Sequence, residues 1–264
     1  MKTCSVLVSL LACCWAATAI AAPPCGSFKI ALYDHGALYS RAADGHWRGI
    51  DADLVDELGR RTGCHLNQVL ESRVRIWTMM AAGQLDMTVS GIATPEREAH
   101  AYFLPYFASR NYILLSKEVD AQLRSLDQLA ADPHFKVAAV KSFRHGPTLD
   151  AWLARLRAQG RVYDAVDFTA LMRLVQIGRV HAIIALETSW LPRRAETAAA
   201  GLRVMDWAQQ DRVVGSLVLS RKRVPEATAA LFASAIAAMR QDGTLEAIFA
   251  RHMGPVAAAA MLRY

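Results

Sequence analysis

The chain has 264 residues, 53% of them apolar and 20% charged, with a formal charge of +6. This is a globular composition, rich enough for one large hydrophobic core or two modest ones. The arginines are scattered, with no run longer than Arg221-Lys222-Arg223, which argues for a solvated surface and against a nucleic-acid partner.

The N-terminus opens with the basic Met1-Lys2, followed by the almost wholly apolar stretch from Ser5 to Ile20. Ala19-Ile20-Ala21 and Ala22 offer the small residues a signal peptidase needs. Residues 1–22 therefore read as a secretory signal peptide, too short and wrongly flanked for a membrane span. Loss of Lys2 leaves a charge of +5. Leu10-Leu11-Ala12-Cys13 loosely resembles a lipobox, so a lipid anchor is the alternative, although the apolar stretch before Cys13 is short. No later apolar run reaches the ~18 residues that cross a bilayer. The mature chain is expected outside the cytoplasmic membrane, in the periplasm, soluble or surface-tethered. Cys4, Cys13 and Cys14 lie in the signal, leaving Cys25 and Cys64. An even pair in an exported chain points to one disulfide, with two buried free thiols as the alternative. Each cysteine stands just before a strand-like run. If those strands are parallel neighbours, both cysteines lie at one edge of a sheet.

Strand and helix patterns then alternate. Phe28–Leu32 reads as a buried strand. Ile50, Leu54, Val55 and Leu58 recur at helical spacing, with Gly63 as a stop. A strand follows at 65–70, a short helix around Ile76–Ala82 ended by Gly83, and a strand at Met87–Val89. This β-α-β-α-β order is the mark of a parallel sheet covered by helices. Asn111–Leu115 is a further strand. A second, smaller α/β unit has strands at 135–140, 162–166, 182–186 and 202–205. Its helices are expected at 126–129, 147–156, 168–177 and 188–199. Gly215–Ser220 is again a strand. A long helix starts near Pro225, Asp242-Gly243 breaks it, and a last helix covers 244–252. The Ala-rich tail at 257–260 reads as a terminal helix or a frayed end.

Six short motifs, in order, resemble those of the extracellular solute-binding proteins of family 3, the amino-acid-binding subunits of ABC importers. They are Gly49-Ile50-Asp51-Ala52-Asp53-Leu54, Ala82-Gly83-Gln84-Leu85-Asp86-Met87, Ser90-Gly91-Ile92-Ala93-Thr94-Pro95-Glu96-Arg97, Phe103-Leu104-Pro105-Tyr106, Gly178-Arg179-Val180 and Asp242-Gly243-Thr244-Leu245. The resemblance runs from about residue 28 to 253. It implies an α/β, two-lobed type II periplasmic binding fold, crossed twice by the chain. Lobe one would comprise 26–114 and 209–264, and lobe two 115–208. A small ligand, bearing a carboxylate, would be buried in the cleft by hinge closure. No cofactor is implied, and the partners would be an ABC permease and no second copy of the chain.

The family's carboxylate-gripping arginine corresponds to Arg97. A planar guanidinium suits a carboxylate because two parallel, charge-assisted hydrogen bonds form at once. The loop before it is one residue shorter here than is usual in the family. Ser90 and Gly91 would line that loop. Thr94 either binds ligand or simply caps the helix that starts at Pro95. Trp77 and Tyr39 match positions that often hold aromatics beside the ligand, and Tyr33 would face the cleft by analogy. In lobe two, Lys141-Ser142-Phe143-Arg144-His145-Gly146 replaces the usual Gly-Thr or Gly-Ser pair, offering Ser142 and Arg144. The family's ammonium-binding aspartate corresponds to Leu186, with Glu187 beside it. If Glu187 faces the cleft it substitutes. If not, the ligand need carry no α-ammonium.

The eight histidines show no His-x-His or His-x-x-x-His spacing, and the mature chain has no Cys-x-x-Cys, nucleophile elbow or phosphate loop. A non-enzymatic binding protein is therefore expected. The rivals are an enzyme on the same scaffold, resembling cyclohexadienyl dehydratase with Glu187 or Lys141 as acid or base, and a ligand sensor feeding a membrane kinase.

Overall fold

A computed structural model describes residues 25–264. The signal peptide and the lipobox-like Cys13 lie outside the described residues. β1 (Ser27–Leu32) pairs in parallel with β4 (His65–Leu70), from Ser27 opposite His65 to Leu32 opposite Leu70. That register brings Cys25 and Cys64 to one edge, where they form a disulfide with Cα atoms 4.6 Å apart. Between these strands lie a short ribbon, β2 (Ser40–Arg41) with β3 (Trp47–Arg48), and α1 (Ile50–Thr62). Gly63 ends α1 with φ +71°, a left-handed conformation that costs glycine nothing. α2 (Arg73–Ala82) follows, capped by Ser72 and ended by Gly83. β5 (Met87–Gly91) then joins β1 in parallel.

α3 (Pro95–Glu98) leads into β6 (Ala101–Leu115), a single strand of 15 residues. Its first two-thirds pair antiparallel with β11 (Arg212–Ser220), ending at Arg110 opposite Arg212. From Asn111 onward β6 changes partner and pairs with β9 (Ala182–Leu186). The expected division at 114/115 thus falls inside a strand, and the pairing changes hands at 110/111.

Beyond β6 come α4 (Leu126–Ala131), β7 (Val137–Val140), α5 (Pro147–Ala158), β8 (Val162–Ala165) and α6 (Phe168–Gln176). After β9, the expected helix 188–199 is broken. α7 (Glu187–Trp190) gives way to a 3-10 turn at Leu191–Arg193, and α8 (Arg194–Ala199) follows. Pro192 lacks an N–H and interrupts the helical ladder there. β10 (Arg203–Met205) lies on the outer edge of β6. The chain returns along β11 to α9 (Glu226–Gln241), α10 (Thr244–Met253) and α11 (Pro255–Met261).

The strand order is β4-β1-β5-β11-β6-β9-β7-β8, with β10 also on β6. Each sheet half has helices on both faces. α1, α9 and α10 cover one face of the first half around Leu54, Phe232 and Phe249, and α2 covers the other around Ile76 and Met80. In the second half, Trp152 anchors one core and Phe168 the other. Phe143 and Leu186, from the second half, pack into the core cluster of the first.

Candidate functional site

Arg97 ends up between the two halves. Thr94 caps α3, accepting from Arg97 N at 3.3 Å, and Pro95 suits the first turn. The side chain reaches back across the gap. Its guanidinium carbon lies 3.7 Å from the centre of the Trp77 ring. Nη1 donates to Ile92 O at 2.9 Å, and Nη2 donates to Ser142 O at 3.3 Å. Burial first, then the charges of Arg73 and Arg144, lower its pKa to about 10. Among the described residues it has no carboxylate partner within salt-bridge distance.

Beside it opens a cavity of about 480 Å³, bordered by Trp77 and Arg97 from one half and by Ser142, Phe143, Arg144 and His145 from the other. Ser142 holds a left-handed backbone, φ +62°, which turns its carbonyl toward Arg97. Arg144 is exposed on the rim of this cavity and of a neighbouring one that Thr94 also borders.

Other expected residues sit elsewhere. Tyr39 is buried in the first core, where it stacks on Trp47 at 5.1 Å; it borders neither cavity beside Arg97. Ser90 has its polar groups occupied internally. Its hydroxyl donates to Asp51 at 2.7 Å, its N–H donates to Tyr106 Oη at 3.0 Å, and its carbonyl accepts from Tyr33 Oη at 3.2 Å. Tyr106 Oη donates to the same Asp51 at 2.5 Å. Burial raises the Asp51 pKa to about 7 despite these bonds. Gly91 is the last residue of β5, not a loop residue, and a Cβ there would lie 2.2 Å from Val218. Its bareness makes room for the Val218 side chain, with the Trp77 ring beside it. Glu187 is half-buried, its pKa raised first by burial and then opposed by Arg110. It does not border the Arg97 cavity. Leu186 is buried in apolar contacts.

The loop Lys141–Gly146 does come to the cleft, but the helix behind it is already capped. Asp211 accepts from Thr148 N at 2.7 Å and Leu149 N at 3.2 Å, so the first N–H groups of α5 are closed to a ligand anion. Positive charge in the cleft therefore comes from side chains, facing Glu96, Asp150 and Asp164 on the same cavity. A more deeply buried cation, bordering a second cavity with Tyr33 and His35, was not among the expected residues. Arg73 is 6% exposed, with its guanidinium carbon 4.6 Å from the centres of the Tyr33 and Phe143 rings. His35 stacks on Phe143 at 5.0 Å, and His145 lies 5.1 Å from the same ring on its other side in sequence. Burial and the Arg73 charge hold both imidazoles at a pKa of about 3, hence neutral at pH 7. The capping signal Ser72, three residues before Arg75, marks the helix start that places Arg73 one turn before Trp77.

The match to known proteins covers nearly the whole described chain. Residues 29–255 fit the model of the bacterial extracellular solute-binding proteins, family 3. The chain belongs to that family. No curated protein sequence matches it. Among solved structures, an ancestral arginine-binding protein bound to arginine superposes with a TM-score of 0.73 at 18% identity, covering 86% of this chain and 98% of that one. A mutant of ArgBP from T. maritima gives 0.71 at 18% identity, covering 86% and 94%. The ancestral amino acid-binding protein AncCDT-1, a precursor of cyclohexadienyl dehydratase, gives 0.69 at 20% identity, covering 86% and 95%. These likenesses establish the two-lobed type II fold for this family 3 protein. The two sheet halves are its lobes, and the Arg97 cavity opens at their junction.

Proposed function

We propose that this family 3 protein captures a small organic carboxylate outside the cytoplasmic membrane and delivers it, as a monomer, to an ABC permease. The lobes divide near residues 110 and 211, and closure over the ligand joins Arg97 to the second lobe. One observation carries the reading. Arg97 is held on an aromatic platform, half-buried, with only backbone carbonyls as partners among the described residues. A carboxylate offers that guanidinium two charge-assisted bonds in place of two neutral ones. With Leu186 at the family's ammonium-binding position and Glu187 off the cavity, an ammonium on the ligand would meet Glu96, Asp150 or Asp164, which border it.

The test is a panel of amino acids, deaminated analogues and other small carboxylates, read by melting-temperature shift and calorimetry. At least one carboxylate should raise the melting temperature, and Arg97→Ala should abolish that shift while the fold persists. A parent protein indifferent to every carboxylate ends this reading.

The likeness to AncCDT-1, an ancestral amino acid-binding protein and precursor of cyclohexadienyl dehydratase, raises an enzyme as the second reading. Such a reaction needs an acid or base against the substrate; neither Glu187 nor Lys141 borders the Arg97 cavity, and the groups that do include Glu96, His145, Asp150 and Asp164. Incubation with prephenate or arogenate separates the two, since a binder returns them unchanged.

A further inference from the structure

We infer that Arg73 is a second anion-binding group of the same cleft, and that the ligand is a dicarboxylate held at one end by Arg97 and at the other by Arg73. The inference rests on the carboxylate reading above and goes further, to the class of ligand.

Three observations support it. First, Arg73 Nε and Nη2 are both buried and have no hydrogen-bond partner. These two nitrogens share the side-on edge of the guanidinium, the fork that meets a carboxylate with two parallel bonds. Second, its charge is not neutralised locally. Among the described residues no carboxylate lies within salt-bridge distance of it, and the Asp51 oxygens are taken by Ser90 and Tyr106. A cation this deep and unpaired destabilises a fold unless something pairs with it. Third, its neighbours come from both lobes. Tyr33 flanks it from the first lobe and Phe143 from the second. The Phe143 ring thus stands where lobe closure would bring a bound anion. Arg73 lines a second cavity with Tyr33 and His35; Phe143 stands between it and the cavity beside Arg97, and the Arg73 charge reaches Arg97.

The placement calls for a short ligand. Arg97 rests on Trp77, which lies four residues after Arg73 on α2. Residues so placed are neighbours on one helix face, roughly 5–6 Å apart at Cβ. The Arg73 charge also depresses the Arg97 pKa, so the two cations are neighbours and a short dicarboxylate of four or five carbons is the chain to test.

The experiment is calorimetric titration of the full mature chain with glutarate against valerate, and succinate against butyrate. The members of each pair differ only in the second carboxylate. The parent should bind the dicarboxylate at least about tenfold more tightly. Arg73→Met, which keeps a long side chain between the two rings, should erase that preference and leave valerate affinity within about threefold of the parent. Arg73→Lys should retain part of the preference, because it keeps the charge and loses the fork. Arg97→Ala should lose both ligands. If the parent binds glutarate and valerate alike, or Arg73→Met keeps the preference, the second site falls and the carboxylate reading stands. If the parent binds none of the four, the dicarboxylate inference is overturned, and the carboxylate reading is decided separately by the wider panel above. If Arg73→Met lowers the melting temperature without changing ligand preference, Arg73 is a structural cation and the inference is overturned.

Discussion

Arg97 Nη2 donates to the backbone carbonyl of Ser142, 45 residues along the chain and on the opposite lobe. The same guanidinium rests on the Trp77 ring of its own lobe. Ring and carbonyl together fix its aim, so the first variant to make is at the ring. A cation–π contact contributes about 0.5–2 kcal/mol. Trp77→Leu should therefore weaken carboxylate binding by roughly 2- to 30-fold, without the total loss expected of Arg97→Ala. Titration calorimetry on the two variants checks the order. Trp77 should also report binding by its fluorescence, because an anion arriving at Arg97 alters the field over the indole.

Closure has a second contact, free of charge. Ala37 N donates to Thr188 O across the lobes at 2.8 Å. Gly36, beside it, has φ +57°, and a Cβ there would lie 2.6 Å from Thr188 O and from Ser189 Cα. Gly36→Ala should hold the lobes apart while each folds normally. Ligand affinity should fall by about tenfold or more. Small-angle scattering should show no ligand-induced compaction in the variant. A variant that compacts like the parent would show that this approach is not needed for closure.

The pH dependence of stability has opposing parts. Asp51 titrates at about 7 in the fold, against an ordinary carboxylate value of 3.8. The folded chain therefore holds an extra proton between these values, and this group makes stability fall as pH rises through that window. His35 and His145 titrate at about 3 against an ordinary 6.5. There the unfolded chain holds the extra protons, so their contribution falls as pH drops below 6.5. Two imidazoles outweigh one carboxyl, and these groups together favour the fold as pH rises from 4 to 6.5. Asp51→Asn removes the opposing part. Its stability relative to the parent should climb with pH by about 1.4 kcal/mol per unit through the middle of that window. Urea midpoints between pH 4.5 and 6.5 measure the difference. A constant offset between the two proteins would place the titration elsewhere.

The disulfide spans 39 residues of sequence. Closing a loop of that length in the unfolded chain stabilises the fold by about 4 kcal/mol in the chain-entropy account. Cys25→Ser with Cys64→Ser should lower the melting temperature by about 8–16 °C. Both cysteines lie just before β1 and β4, the outermost pair of strands of the first lobe, and neither borders the Arg97 cavity, so ligand affinity at 25 °C should be unchanged. Loss of affinity in a folded double variant would contradict that placement.

Much of the frame was legible in the sequence because it depends on local signals. The apolar run Phe28–Leu32, the helical spacing from Ile50 to Leu58 and the stops at Gly63 and Gly83 are each written within a few residues. So is the pairing of Cys25 with Cys64, once β1 and β4 are neighbours. The long β6 was read only as 111–115, because Pro105 interrupts the strand pattern. In the fold Pro105 stands opposite Ser216, where β11 shifts register after Gly215, and an irregular ladder tolerates a residue without an N–H. Trp77 and Arg97 could be placed together by motif. Tyr39 could not be separated from the cleft, because its partner Trp47 comes from a ribbon of two-residue strands too short to show a pattern. Arg73 escaped notice for a similar reason. The first turn of α2 is polar on the page, and only the approach of Phe143 from 70 residues away turns an ordinary arginine into a buried one.

The partner exchange of β6 at Arg110 and Asn111 limits how the molecule can move. β6 runs unbroken from one lobe into the other, the return crossing 206–211 lies beside it, and Arg110 is the last residue of β6 tied to Arg212 of β11. Like a door hung on two pins, such a joint resists shear and torsion and leaves one axis of swing. Arg97 and Ser142 would then meet at the same point of every stroke, so the grip on cargo is timed by the backbone and needs no search by the side chains.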